Sequence, residues 1–174
     1  MSYRPITDMW LLARPKVKYY GAYPNGFLER ARTLLGCSTD DAILHVCGGM
    51  AKVYPNKKAF GPNDKTLDID PTLNPDFCCD VRKGIPKGDW KAILIDPPYT
   101  SEDARHYNNY NGFLPEPNEL VKNAINSVEI GRCVGILHYI IPQTPKNGKE
   151  VALVGVMMGH NNRIRCFSVF RRIE

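Results

Sequence analysis

The sequence predicts a single α/β domain built on a mainly parallel β-sheet with an antiparallel C-terminal edge. Three observations carry this expectation. Short runs at 42–47, 92–95 and 133–141 are apolar throughout, as central strands covered on both faces are. Among them lie two helical stripes, Phe27-Leu28-Ala31-Leu34-Leu35 and Leu120-Val121-Ala124-Ile125-Val128. Only about eight residues, 142–149, separate the run at 133–141 from the next at 150–158, and a parallel return needs roughly a dozen or more. A chain of 174 residues suits one compact domain, 1–174, with a substantial core.

Taken in order, residues 1–22 read as irregular, broken by Arg4-Pro5 and Arg14-Pro15. The first helix begins after Pro24, with Asn25 as its expected N-cap, and Gly36 closes it. Ala42-Ile43-Leu44-His45-Val46-Cys47 is a strand, and Gly48-Gly49 a tight turn that lets backbone approach a ligand. Pro55, Gly61 and Pro62 make a long helix after that strand improbable on this pattern. Residues 65–71 and 76–81 read as two short strands, each ending in acids, Asp68 and Asp70 in the first and Asp80 in the second. Pro117 starts the second helix and Gly131 stops it. The strands at 133–141 and 150–158 are expected to be antiparallel, and Asn161-Asn162 turns the chain into a third member of the same meander at 163–171.

The most informative stretch is Ala92-Ile93-Leu94-Ile95-Asp96-Pro97-Pro98-Tyr99. Two prolines forbid continuing the ladder, so the strand stops at Asp96 and delivers Asp-Pro-Pro-Tyr to the carboxyl edge of the sheet, where open α/β folds hold ligands. Two fixed φ angles also hold a main-chain carbonyl in one direction at low entropic cost. A strand-ending turn would account for Asp-Pro alone. It does not account for Tyr99 or for the acids and glycines at neighbouring strand ends.

Asp96-Pro97-Pro98-Tyr99 resembles the catalytic motif of the amino-methyltransferases, which methylate an exocyclic nitrogen of adenine or cytosine with S-adenosylmethionine. The resemblance implies a Rossmann-like class I methyltransferase domain. It also implies that the Asp96 carboxylate and the Pro97 carbonyl accept the two hydrogens of the target amine, that Pro98 rigidifies the turn, and that Tyr99 stacks on the base. Tyr23-Pro24-Asn25-Gly26-Phe27-Leu28-Glu29-Arg30 resembles the segment that packs, in that family, beside the methionine end of the cofactor. The segment from His45 through Cys47, Gly48 and Gly49 stands at the family's cofactor loop, usually written Asp-Pro-Phe-x-Gly-x-Gly. Here His45 replaces an acid and Ala51 the last glycine. An acid about twenty residues beyond a glycine turn suits the two hydroxyls of a ribose, and the family pattern selects Asp68 over Asp70. Asp80 stands where the family contacts the cofactor's adenine amine.

Composition narrows the class further. Hydrophobic residues make up 43% and charged residues 24%, as in ordinary globular proteins, and no run approaches 18 apolar residues. A cytoplasmic protein with no membrane span and no signal peptide is expected. Six cysteines without a Cys-x-x-Cys spacing read as buried free thiols and argue against a metal site. The net charge of +5 is concentrated at the two ends, which fits a phosphate-backbone partner. The loop 100–115 lacks any period; its Tyr107, Asn108 and Tyr110 suit stacking on, and hydrogen bonding to, bases. The leading expectation is methylation of a nucleic-acid base, adenine N6 in DNA first. The alternatives are an RNA base, guanine N2 or adenine N6, and a non-catalytic nucleic-acid-binding subunit. No separate target-recognition domain is visible, so a homo-oligomer or a specificity partner is expected to share in choosing the site.

Overall fold

The computed structural model describes residues 4–53, 59–107, 112–159 and 163–174. Eight strands form one sheet: β1 (Ile6–Leu12), β2 (Ile43–Val46), β3 (Lys65–Asp68), β4 (Phe77–Cys78), β5 (Ala92–Ile95), β6 (Cys133–His138), β7 (Gly148–Met158) and β8 (Ile164–Arg172). Their order is β1-β7-β8-β6-β5-β2-β3-β4. From β4 to β6 all pairings are parallel, with the order reversing between β2 and β5, and this reversal makes the crevice at which doubly wound folds bind ligands.

Among the described residues three α-helices accompany the sheet, α1 (Phe27–Leu34), α2 (Ser101–Ala104) and α3 (Pro117–Ser127). Alternation along the central strands divides the core in two. Ile43, Leu94, Leu137 and Phe167 face α1, where they meet Phe27, Leu28 and Ala31. Leu44, Val46, Ile93, Ile95 and Ile136 face α3, where they meet Leu120, Val121 and Ile125. Runs that are apolar throughout therefore serve both faces at once. Phe27 is fully buried, an arrangement worth about 1.5–3 kcal/mol for such a side chain.

The antiparallel C-terminal edge is present, but its pairing differs from a simple meander. β8 lies between β6 and β7 and is antiparallel to each, so β6 and β7 run the same way. The return after β6 uses no helix: residues 139–147 form a bend, irregular chain and a turn. Pro142 and Pro145 disfavour a helix there, and α3 holds the crossing, with Asn118 Oδ1 accepting from the Gln143 amide at 2.8 Å.

The N-terminal segment also departs from expectation, since residues 6–12 are not irregular. They form β1, parallel to β7, with Trp10 and Leu12 buried and Met9 and Leu11 exposed. α1 is capped by Gly26 at φ 80°, not by Asn25, whose amide is committed to the Ala13 carbonyl at 3.0 Å. The loop after Tyr99 contains α2, capped by Thr100, whose Oγ1 accepts from the Asp103 amide at 3.0 Å. Of the cysteines, Cys37 and Cys133 are buried while Cys78 is exposed. No helix of the described residues is long and apolar enough to cross a membrane.

Between β2 and β3 the described residues form turns, and a buried network holds them in place of a helix. Asp64 accepts from the Ile43 amide at 2.9 Å, the Gly61 amide at 2.8 Å and the Arg32 guanidinium, and its Oδ2 lies 3.1 Å from His45 Nε2. Arg32 itself reaches back to the Ser38 carbonyl at 2.7 Å. The pair thus ties α1 to the sheet and to the chain segment entering β3.

Candidate active site

The carboxyl ends of β2, β3, β4 and β5 converge, and each supplies its terminal residues to one rim. After β2 the chain turns sharply, with φ 54° at Cys47 and 49° at Gly49. Positive φ costs little at Gly49 but strains Cys47, a form of strain often found at ligand sites. At Gly48 a Cβ would come within 2.8 Å of the His45 carbonyl, so the turn accepts no side chain there. Asp68, at the end of β3, fixes the turn by accepting from the Gly49 amide at 2.9 Å, and it also accepts from the Asp70 amide at 3.0 Å. Asp80 follows β4, caps a short 3-10 turn and pairs with Arg82 at 2.5 Å. This pairing holds its carboxyl below the ordinary range.

These residues enclose a first cavity of about 290 Å³, near the lower end for small-molecule sites. Its lining includes Tyr23, Cys47, Gly48, Gly49, Asp68 and Asp80, brought together from four separate segments. Tyr23 is buried and stacked on Phe27 at 5.2 Å, and its hydroxyl has no partner among the described residues. A second cleft, of about 570 Å³, lies on the other side of β5 and is lined by Arg14, Pro97, Tyr99, Tyr139, Arg163 and Arg165 among others. Asp96, Pro98 and Tyr107 line both spaces. The two therefore meet at the Asp-Pro-Pro-Tyr turn.

Tyr99 donates its hydroxyl to Asp96 Oδ1 at 2.5 Å. That contact leaves Oδ2 as the carboxylate oxygen open to a ligand. Burial raises the Asp96 carboxyl to about 6, against the opposing pull of the Tyr99 hydroxyl and the Arg165 charge. The Tyr99 ring packs edge-on to His138 at 5.2 Å and tilted against Tyr139 at 4.7 Å. His138 Nδ1 accepts from the Ile140 amide at 2.9 Å, and burial lowers the imidazole to about 4, so it stays neutral at pH 7.

A clasp closes over both spaces. Asp103, at the end of α2, accepts from the Tyr20 hydroxyl, from Thr100 Oγ1 at 2.9 Å and from Arg163 Nη1 at 3.1 Å. Tyr20 stacks on His106 at 4.3 Å, and Tyr107 lies so close over Gly21 that a Cβ there would be 2.2 Å from its hydroxyl. The segment after β1 is thereby bound to the loop after β5.

Solved structures share this architecture. TrmN from Thermus thermophilus matches with a TM-score of 0.57 and 14% identity over 84% of this chain and 48% of that one, so the chain spans about half of TrmN. A candidate RNA methyltransferase from Pyrococcus horikoshii matches with a TM-score of 0.54 and 11% identity, over 84% and 82% of the two chains. The N-methyltransferase NodS from Bradyrhizobium japonicum WM9 gives 0.52 and 11%, over 86% and 99%. The fold is that of the S-adenosylmethionine-dependent methyltransferases. No protein-family model matches the sequence, and no curated protein does.

Within this methyltransferase fold most of the residues singled out from sequence gather at the rim, and His45 is the exception. Its side chain is directed to Asp64 and packs against Phe60 at 4.9 Å, outside both cavities, because it points to the α1 side of β2, one residue short of the turn's reach. Asn108 and Tyr110 lie outside the described residues. Sequence reasoning missed Tyr20, Asp103, His138 and Arg165. Asp103 was legible as the last residue of a Thr-x-x-Asp cap. Arg165 looked like one basic residue among several at the chain's end. Among the described residues, no cluster of three or more His, Cys, Asp or Glu could hold a metal.

Proposed function

We propose that this protein transfers a methyl group from S-adenosylmethionine to an exocyclic amine of a nucleic-acid base, with adenine N6 in DNA as the leading target. One observation carries the reading: two cavities of different character meet at Asp96 and Pro98, one suited to a donor and the other to an acceptor.

The first cavity fits the cofactor. Its glycine turn exposes backbone without a Cβ, Asp68 can take the ribose hydroxyls, Asp80 the adenine amine, and the unpartnered Tyr23 hydroxyl supplies a buried polar contact. When bound, S-adenosylmethionine supplies an electrophilic methyl group, so the protein's work is alignment. Asp96 Oδ2 and the Pro97 carbonyl accept the two amine hydrogens and turn the nitrogen lone pair toward the donor cavity. Tyr99 holds Oδ1 and so fixes the carboxylate plane. After transfer the nitrogen is cationic, and Asp96, with a carboxyl near 6, can hold the proton it loses. The aromatic ring of Tyr99, with Tyr107 and Tyr139 beside it, offers stacking to a base taken out of its helix.

A second reading, methylation of an RNA base, is supported by the candidate RNA methyltransferase among the structural neighbours. A non-catalytic subunit would need neither the glycine turn nor the raised Asp96. The second cleft offers few side chains that could read base edges, so the target we propose is short or degenerate, or its choice is shared with a second copy or another protein.

The test is calorimetric titration with S-adenosylmethionine, followed by transfer of labelled methyl to DNA and RNA of matched sequence. Binding with base methylation is expected. Absence of cofactor binding would overturn the reading, and labelling of RNA alone would replace DNA by RNA as the substrate.

A further inference from the structure

Each cavity contains one residue with a buried polar side-chain atom that no described residue satisfies, Tyr23 in the first and Arg165 in the second. Arg165 sits near the start of β8, which enters the rim because it is inserted between β6 and β7. Its side chain is only 8% exposed, unusual for an arginine. The guanidinium reaches the Tyr99 hydroxyl and faces the charge of Asp96, yet its Nη2 has no hydrogen-bond acceptor. The neighbouring acid in the cleft, Asp103, is already occupied by Tyr20, Thr100 and Arg163. A guanidinium has only donors, so the group calls for an acceptor that the described residues do not provide.

The proposed reaction defines what stands there. Asp96 and the Pro97 carbonyl take both hydrogens of the amine, and the next polar atom of an aminated heterocycle is the one flanking that amine. In adenine both flanking atoms, N1 and N7, are acceptors, and in cytosine N3 is one. Guanine has an N–H donor on one side of its amine and the acceptor N3 on the other, so only one of its two orientations would oppose a guanidinium.

We infer that Arg165 reads the acceptor ring, donating from its guanidinium to an unprotonated ring nitrogen beside the methylated amine. The cleft is accordingly selective for heterocycles that carry an unprotonated ring nitrogen beside the amine over simple amines. Arg165 is a specificity residue with a positioning role toward Tyr99. The inference rests on the methyl-transfer reading above.

The test is a chemical double-mutant cycle. Oligonucleotides carry adenine, 1-deazaadenine or 7-deazaadenine at the target, or cytosine and 3-deazacytosine, and each is measured by kcat/KM and by equilibrium anisotropy with the wild type, Arg165→Met and Arg165→Lys. One deaza substitution is expected to cost the wild type roughly tenfold or more, a loss in the range of a good base contact. The same substitution should cost Arg165→Met little. Arg165→Lys, which keeps a charged donor and guards against a fold defect in the methionine variant, should recover part of the discrimination. Equal losses in wild type and variants would overturn the inference while leaving methyl transfer intact. A wild type that binds S-adenosylmethionine yet methylates no base would overturn both.

Discussion

Asp64 and Asp96 are two carboxylates set beside neighbouring strands and treated in opposite ways. Asp64 is surrounded: two amides, a guanidinium and an imidazole converge on it. Burial pushes its carboxyl up, but the hydrogen bonds from His45 and Arg32 outweigh this and hold it below the ordinary range. Among the described residues Asp96 has a single side-chain donor, Tyr99, and burial prevails, raising it to about 6. An acid supplied with all its donors is a fastener. One left short of donors keeps an oxygen for something else.

The widest break in this contrast is expected at Asp64. Asp64→Ala leaves Arg32 buried without its partner and should destabilise the fold by about 3–5 kcal/mol, measured by urea unfolding. A loss under about 1 kcal/mol would mean that the network fastens nothing. Asp96→Ala should instead lower methyl transfer by roughly a hundredfold or more while S-adenosylmethionine affinity stays nearly constant, as for loss of one preorganised polar contact. Equal loss of binding and transfer would place Asp96 with the donor.

The third prediction uses pH. The folded value for Asp96 exceeds the ordinary 3.8, so ionising it costs stability: the cost is absent below 3.8, grows up to about 6 and is complete above that. Asp96→Asn removes it and should stabilise the fold at pH 7.5 by on the order of 2 kcal/mol, with no gain at pH 3.5. Asp64→Asn should do the reverse, because a lowered carboxyl contributes stability that is present above the ordinary range and lost as pH falls through it. A fourth and smaller effect belongs to Tyr99→Phe. The Tyr99 hydroxyl lowers the Asp96 carboxyl, so its removal should move the acid limb of the kcat profile upward by less than about one pH unit. No movement would remove Tyr99 from the charge balance.

Much of the rim was readable because its signals are local. An apolar run broken by Asp-Pro-Pro, a glycine pair and acids at strand ends each fix backbone within a few residues. β1 was not readable: as an edge strand with Thr7, Asp8 and Met9 exposed, it lacks a continuous apolar run, and only pairing with β7 makes it a strand. The order of β6, β8 and β7 depended on a nine-residue crossing that α3 holds through Asn118. His45 was assigned by its place in a motif, but the direction of its side chain was decided by Asp64, nineteen residues away. Arg165 shows the same limit, since nothing in its neighbours reveals that the strand carrying it is inserted into the rim.

The position of β1 has a consequence for how the molecule comes into being. Ile6 pairs with Ala152 and Leu12 with Met158, so the first strand finds its partner only after all the other parallel strands have been made. Closing so long a loop costs about 4 kcal/mol in chain entropy before any contact repays it. During synthesis the rim from β2 to β5 can assemble early, while the segment from Arg14 to Ala22, which hangs from β1 and lines the second cleft, waits for β7 to emerge. Tyr19, Tyr20 and Gly21 of that segment also line the first cavity, so both spaces are expected to take their final form only once β7 has formed.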